Sequence, residues 1–323
     1  PSTLGFDGAA GGERWACRAV VVATGAASTP DLPAAASALP GHLTHVTSLA
    51  YRNPDQLPDG PVLVVGASAS GVQIADEVAR SGREVVLSVG EHTRVPRRYR
   101  GIDIHEWLDA SGALDERIDE VPDPRRARRS PSLQLIGTSP PRDLDANALT
   151  ALGVALVGRV VGVHGTHVQC AGSLANMLTA ADLKQNRLLD RIDEYIIRYA
   201  LDAAVDPPIR PAATRIDRVT TSLDARQFAS VVWATGYRRH HPWAHESLVD
   251  SNGAIVHDGG LGRTPGLFVL GEPFQRRRKS AFIDGVGTDA AELLPHLLDA
   301  IVRHGSEGAA RPSERQPARA APG

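Results

Sequence analysis

The chain has 323 residues, 42% of them hydrophobic, and a formal net charge of -2, enough material for one large core or two moderate ones. No apolar run reaches the roughly eighteen residues of a membrane span, and the opening PSTLGFDG has neither the basic nor the apolar region of a signal peptide, so no membrane partner and a cytoplasmic location are expected. The near-neutral balance gives no bulk field for nucleic acid, and the arginine clusters at Arg97 and Arg98, Arg125 to Arg129 and Arg276 to Arg278 are local features.

In chain order, STLGFDGAAGGERWACRAVVVATG reads as a strand, a turn at Gly8 to Gly12, and a second strand from Trp15 to Ala23. A Pro/Ala-rich linker follows from Ser28 to Pro40, and TSLAYRNPDQLPDG has the composition of a loop. Pro61 to Val65 is a short buried strand. GASASG is a tight turn, and Val72 to Ser81 carries Val72, Ala75, Val78 and Ala79 at helical spacing before Gly82; Glu84 to Val89 is the next strand. Such a βαβ unit implies a parallel sheet. Two amphipathic helices are expected: Arg187 to Tyr199, with Leu188, Ile192, Tyr195, Ile196 and Tyr199 on one face, and Asp289 to His304, with Leu293, Leu294, Leu297 and Ile301. From Ser306 the composition is that of a disordered tail. Cys17 and Cys170 form no C-x-x-C pair, so no disulfide framework, metal site or dithiol redox centre is expected. The chain opens at Pro1 and its only methionine is Met177, and a preceding segment is expected.

The strongest motif is VLVVGASASGVQIADEVARSG, in which Gly66, Ser68 and Gly71 fill the three positions of a dinucleotide-binding turn between strand and helix. Gly66 allows the tight turn, a small residue at 68 lets backbone approach a diphosphate, and Gly71 lets the helix pack closely on the strand. Exposed amides around Ala67, Ser68 and Ser70 would hold the phosphates. Serine at 68 departs from G-x-G-x-x-G. Beyond the next strand lies SVGEHTRVPRRYRG, where a carboxylate favours a ribose hydroxyl and an arginine a 2′-phosphate. Glu91 is the available acid, and Arg94, Arg97 and Arg98 surround it. One charge-assisted pair to phosphate contributes about 1.5 to 3 kcal/mol, so NADPH is expected, with spacing leaving open which arginine binds it. Two apolar strands end in Ala-Thr-Gly, at Ala23, Thr24 and Gly25 and at Ala234, Thr235 and Gly236, on either side of the fingerprint.

With these features the sequence resembles the two-dinucleotide-binding-domain flavoproteins, and among them the flavin-containing monooxygenases and their bacterial relatives. That family's linker pattern F-x-G-x-x-x-H matches Leu39, Gly41 and His45, with leucine for phenylalanine and the following tyrosine displaced to Tyr51. PRRYRGIDIHEWLDASG and GLFVLGEPFQRRRKSAFIDGVGTDAAELL match later segments, so the resemblance spans residues 13 to 304. It implies an α/β fold in which a Rossmann-like NAD(P)-binding domain is inserted in an incomplete Rossmann-like FAD-binding domain. The implied division is 1–50 for FAD-domain remainder and linker, 51–230 for the NADPH domain, 231–305 for the return to the FAD domain, and 306–323 for the tail. It also implies that Ala23, Thr24, Gly25, Gly271 and Gly285 face FAD and that Ala234, Thr235 and Gly236 adjoin NADPH.

The reaction implied is hydride transfer from NADPH to FAD, then oxygenation of a small organic substrate by dioxygen through a peroxyflavin, with the flavin rather than a catalytic side chain doing the chemistry. The family's first G-x-G-x-x-G, the main FAD diphosphate site, is not among these residues. Two alternatives stand beside this reading. One is a non-catalytic NADPH-binding remnant or partner-binding module. The other is a flavin-dependent pyridine-nucleotide reductase, which would lack the usual cysteine pair.

Overall fold

The computed structural model describes residues 6–10, 13–216 and 218–309. The chain divides into two units, a larger one of residues 27–115 and 123–238 and a smaller one of residues 1–26, 116–122 and 239–323. Along the sequence the larger unit is therefore an insertion in the smaller.

The larger unit is built on a five-stranded, all-parallel sheet in the order Ala155–Gly158, Val85–Val89, Val62–Val65, Ser230–Trp233 and Thr44–Thr47. VLVV at 62–65 and SVVW at 230–233 are buried at every position, as interior parallel strands covered on both faces must be. One face is covered by the helix Ala69–Arg80 through Val72, Ile74, Ala75 and Val78. The other packs Leu63, Val65, Val157, Val231 and Trp233 against Phe228 and an antiparallel sheet of Val160–His164, His167–Cys170 and Ser222–Asp224. The helix Leu174–Arg198 inserts Leu174 and Leu178 into the first core. Its second half places Leu189, Ile192 and Ile196 against Tyr99, Ile104, Trp107 and Leu108. The unit's two chain ends meet where Thr29–Pro30 pairs antiparallel with Tyr237–Arg238.

In the smaller unit a four-stranded sheet runs His257–Asp258, Leu261–Gly262, Leu267–Val269, Val20–Val22, the last two parallel. Phe6–Ala10 and Glu13–Cys17 form a hairpin. The single strand expected from Trp15 to Ala23 is thus two, broken at Arg18 and Ala19, with its halves in different sheets. Phe6, Val22, Ile255, Leu267 and Val269 make the core. The excursion 116–122 is tied in by Ile118 N–H donating to the Arg276 carbonyl at 2.8 Å. The helix Val286–Ala309 leaves Leu294, Leu298 and Val302 exposed. It carries through the start of the expected tail, whose residues 310–323 lie outside the described residues.

Candidate functional site

From Val62–Val65 the parallel sheet grows one way through Val85–Val89 to Ala155–Gly158, while Ser230–Trp233 flanks it on the other side. That reversal is the topological switch point, where doubly wound sheets open a ligand crevice at the carboxyl ends of their strands. Val65 and Trp233 are register partners, so the two turns that follow them share one edge. Ala234 N–H donates to the Val65 carbonyl at 2.8 Å, and Gly66 N–H to the Ser88 carbonyl at 3.0 Å. Gly66, Ala67, Ser68, Ser70 and Gly71 are thereby brought beside Ala234, Thr235 and Gly236.

The turn is closed backbone on backbone. Gly66 has φ +108°, and a Cβ there would overlap the Ala234 carbonyl; a Cβ at Gly71 would overlap the Gly66 carbonyl oxygen, both far inside the 3.0 Å that real Cβ atoms keep. Val72 N–H to the Ser68 carbonyl, at 3.1 Å, is the first intrahelical bond, so the amides of Ala69, Ser70 and Gly71 precede it and face the helix's positive end. Thr235 Oγ1 donates to the Asp31 carbonyl at 2.5 Å, fixing the second turn to the entry segment.

One contributor carries no signal in the sequence. Gln134, 2% exposed, donates from Nε2 to the Ala67 carbonyl at 2.6 Å, while its own N–H bonds the Thr93 carbonyl at 2.9 Å. With Ala67's carbonyl held on that side, the planar trans peptide turns the Ser68 N–H to the opposite side.

The three candidate arginines have separate partners. Arg94 is 3% exposed, and its guanidinium is shared between Asp145 at 2.6 Å, Asp182, the Ala212 carbonyl and Thr214. Arg97 pairs with Asp103 at 2.6 Å and reaches the Ile136 carbonyl; Arg98 bonds the Gly101 carbonyl. Glu91 is exposed and pairs with Lys184 at 2.7 Å, a hydrogen bond that holds its carboxyl below the usual range. Burial holds the neighbouring His92 imidazole below its ordinary range. His45 lies on the edge strand and accepts from the Trp233 indole N–H at 3.3 Å.

Within the smaller unit, Val22 and Val269 are parallel partners, and Leu270 N–H donates to the Val22 carbonyl at 2.9 Å. Ala23, Thr24, Gly25 and Gly271 therefore leave the sheet at one edge. Gly25 and Gly271 turn with φ +72° and +83°, and no atom lies within 4 Å of the Cβ position at Gly25. Thr24 Oγ1 lies 3.3 Å from Nε2 of buried His241. Gly285 precedes the helix Val286–Ala309, packed so closely that a Cβ would overlap the Lys279 carbonyl. In that helix's first turn Asp289 is fully buried; one oxygen takes Arg277 at 2.9 Å and the other has no hydrogen-bond partner among the described residues. The open turn at Gly25 leaves room for the backbone to approach a flavin nucleotide, whereas Asp289 is enclosed by protein.

Among the described residues no three His, Cys, Asp or Glu side chains are grouped to hold a metal, and no helix is long and apolar enough to cross a membrane. Cys17 is exposed and Cys170 buried, both free thiols, and burial pushes the Cys170 thiol up to about 11.

The fold is α/β, with a parallel-sheet unit carrying a dinucleotide-type glycine turn inserted along the sequence in a smaller unit. Residues 5–89 match the L-lysine 6-monooxygenase/L-ornithine 5-monooxygenase family. An uncharacterized CzcO-like oxidoreductase of Geobacillus kaustophilus is 28% identical over 282 residues, covering 87% of this chain and 64% of that protein. A flavin-containing monooxygenase of Amanita muscaria is 35% identical over 115 residues, 33% of this chain and 21% of that protein. Among solved structures, a flavin-containing monooxygenase from Stenotrophomonas maltophilia superposes with TM-score 0.48 at 18% identity, over 92% of this chain and 64% of that one. The chain spans about two thirds of the length of the curated oxidoreductases that it resembles over most of its own length.

Proposed function

We propose that this chain supplies the nicotinamide-binding unit and part of the flavin-binding unit of an FAD- and NADPH-dependent monooxygenase acting on a small organic substrate and dioxygen. The observation that carries the reading is the convergence of the Gly66 and Ala234 turns at the switch point of the parallel sheet.

The chain's part is to bind and orient. Amides from Ser68 to Gly71 take the dinucleotide diphosphate, helped by the helix dipole. Gly66 and Gly71 keep side chains out of the space the backbone needs, and Gln134 aims the Ser68 amide. Ala234, Thr235 and Gly236 line the crevice from the neighbouring strand. In the smaller unit the edge at Ala23, Thr24, Gly25 and Gly271, with Gly285 at the helix start, takes FAD. Bound FAD supplies hydride acceptance and oxygen activation; on this reading no protein nucleophile or metal is required.

The test is to purify the chain, record absorbance between 350 and 500 nm, and add NADPH under air while following nicotinamide and hydrogen peroxide. A flavin spectrum bleached by NADPH supports the proposal. A colourless protein that still binds NADPH assigns the chain to nicotinamide binding alone, and a protein binding neither overturns the reading.

A further inference from the structure

The strand Val85–Val89 lies beside Val62–Val65 and ends level with Gly66, whose N–H bonds the Ser88 carbonyl at 3.0 Å. Residues just past that strand face the adenosine ribose of a dinucleotide whose diphosphate sits on the turn. Glu91 stands there, twenty positions beyond Gly71, where an acid reads a ribose hydroxyl. Its side chain is 60% exposed and bonded through one oxygen to Lys184 Nζ at 2.7 Å. Lys184 is 37% exposed and rises from the helix Leu174–Arg198 just past its buried anchors Leu178 and Ala181.

Of the nearby cations, exposed Arg126 also lies within electrostatic reach of Glu91 and is the competitor the test must separate, whereas the three arginines after the strand are engaged. Arg94 is enclosed by two aspartates, a carbonyl and a hydroxyl; Arg97 is paired with Asp103, and Arg98 is bonded to Gly101. Lys184, in contrast, is held by one exposed carboxylate, and such surface pairs are weak. A ribose 2′-phosphate offers more charge than that carboxylate and can draw the ammonium away.

We propose that the Glu91–Lys184 pair reads the adenosine ribose, Lys184 taking the 2′-phosphate of NADPH and Glu91 the 2′-hydroxyl of NADH, so that the chain accepts both dinucleotides. This rests on the Gly66 turn being the dinucleotide site. Arg94 then has a structural role, and specificity is set by a helix far along the sequence from the fingerprint.

The test is calorimetric titration of the full chain with NADPH and with NADH at fixed salt, for wild type, Lys184→Met, Glu91→Gln, Arg98→Ala and Arg126→Ala, with thermal melts to confirm folding. Wild type is expected to bind the two within about tenfold of each other. Lys184→Met should weaken NADPH roughly tenfold and spare NADH; Glu91→Gln should weaken NADH and tighten NADPH. Folded variants with the wild-type ratio overturn the proposal and leave the turn intact as a site, as does a phosphate-specific loss on Arg98→Ala or Arg126→Ala. Wild type binding neither dinucleotide brings down the turn and this proposal together.

Discussion

Gly71→Ala separates backbone packing from helix propensity because the two predict opposite signs. Gly71 lies in the first turn of the helix Ala69–Arg80, and there alanine ordinarily gains about 1 kcal/mol over glycine. A Cβ at this position, however, would overlap the Gly66 carbonyl oxygen, and neither backbone segment can rotate away as a side-chain tip would. Overpacking of this kind costs about 1–3 kcal/mol. Taking the upper end for a backbone neighbour, the net loss is about 2 kcal/mol. For a unit of this size that is a fall of about 4–8 °C in melting temperature. Displacing the Gly66 carbonyl also disturbs the amides that meet the diphosphate, so NADPH affinity should fall in parallel. Urea unfolding and NADPH titration check both effects. Gly41→Ala is the control, having no atom within 4 Å of the new Cβ, and is expected to be neutral or to gain up to about 1 kcal/mol. A Gly71→Ala protein with an unchanged or higher urea midpoint would refute the closed turn.

Arg94→Ala leaves buried Asp145 and partly buried Asp182 without their cation and should cost about 3–5 kcal/mol, seen as a lowered urea midpoint. Its NADPH-to-NADH affinity ratio should be unchanged, and a selective loss of NADPH would show that the arginine is free to reach ligand. Gln134→Leu deprives the Ala67 carbonyl of its donor, costing about 1–3 kcal/mol and weakening both dinucleotides alike; wild-type affinity in a folded variant would remove its positioning role. The raised Cys170 thiol binds its proton more tightly folded than unfolded. Its contribution is therefore present below the ordinary thiol range and lost as pH climbs towards about 11. Cys170→Ala should flatten that alkaline decline in a melting-temperature profile, and a profile parallel to wild type would contradict it.

The βαβ unit was legible because its pattern is local: a fully apolar strand, a glycine turn and an amphipathic helix lie within residues 62–89. The edge strand Thr44–Thr47 was not, since THVT has Val46 as its only apolar side chain and an edge strand with a polar outer face needs little more. The sequence pattern marks the long helix only from Arg187. Its first half buries Leu174, Leu178, Ala181 and Gln185, a stripe interrupted by a small and a polar residue. At the site, the glycines announced themselves through conformational and packing demands that other residues cannot meet. Charge did not: an arginine beside a fingerprint looks alike whether it faces ligand or, as Arg94 does, a pair of aspartates. Gln134 and Lys184 reach the turn and its neighbouring loop from distant sequence, and no local pattern marks such contacts.

The ladder between Thr29–Pro30 and Tyr237–Arg238 has a consequence for engineering. With Ser28 Oγ also donating to the Arg238 carbonyl at 3.3 Å and Asp31 N–H to the Gly236 carbonyl at 3.0 Å, entry and exit run side by side at about the 4.8 Å spacing of paired strands. Apart from the excursion at 116–122, the insert begins and ends at one zippered point. Moving it into another host would therefore need two joins, one across the zippered ends and one closing Asp115 to Asp123 in place of the excursion.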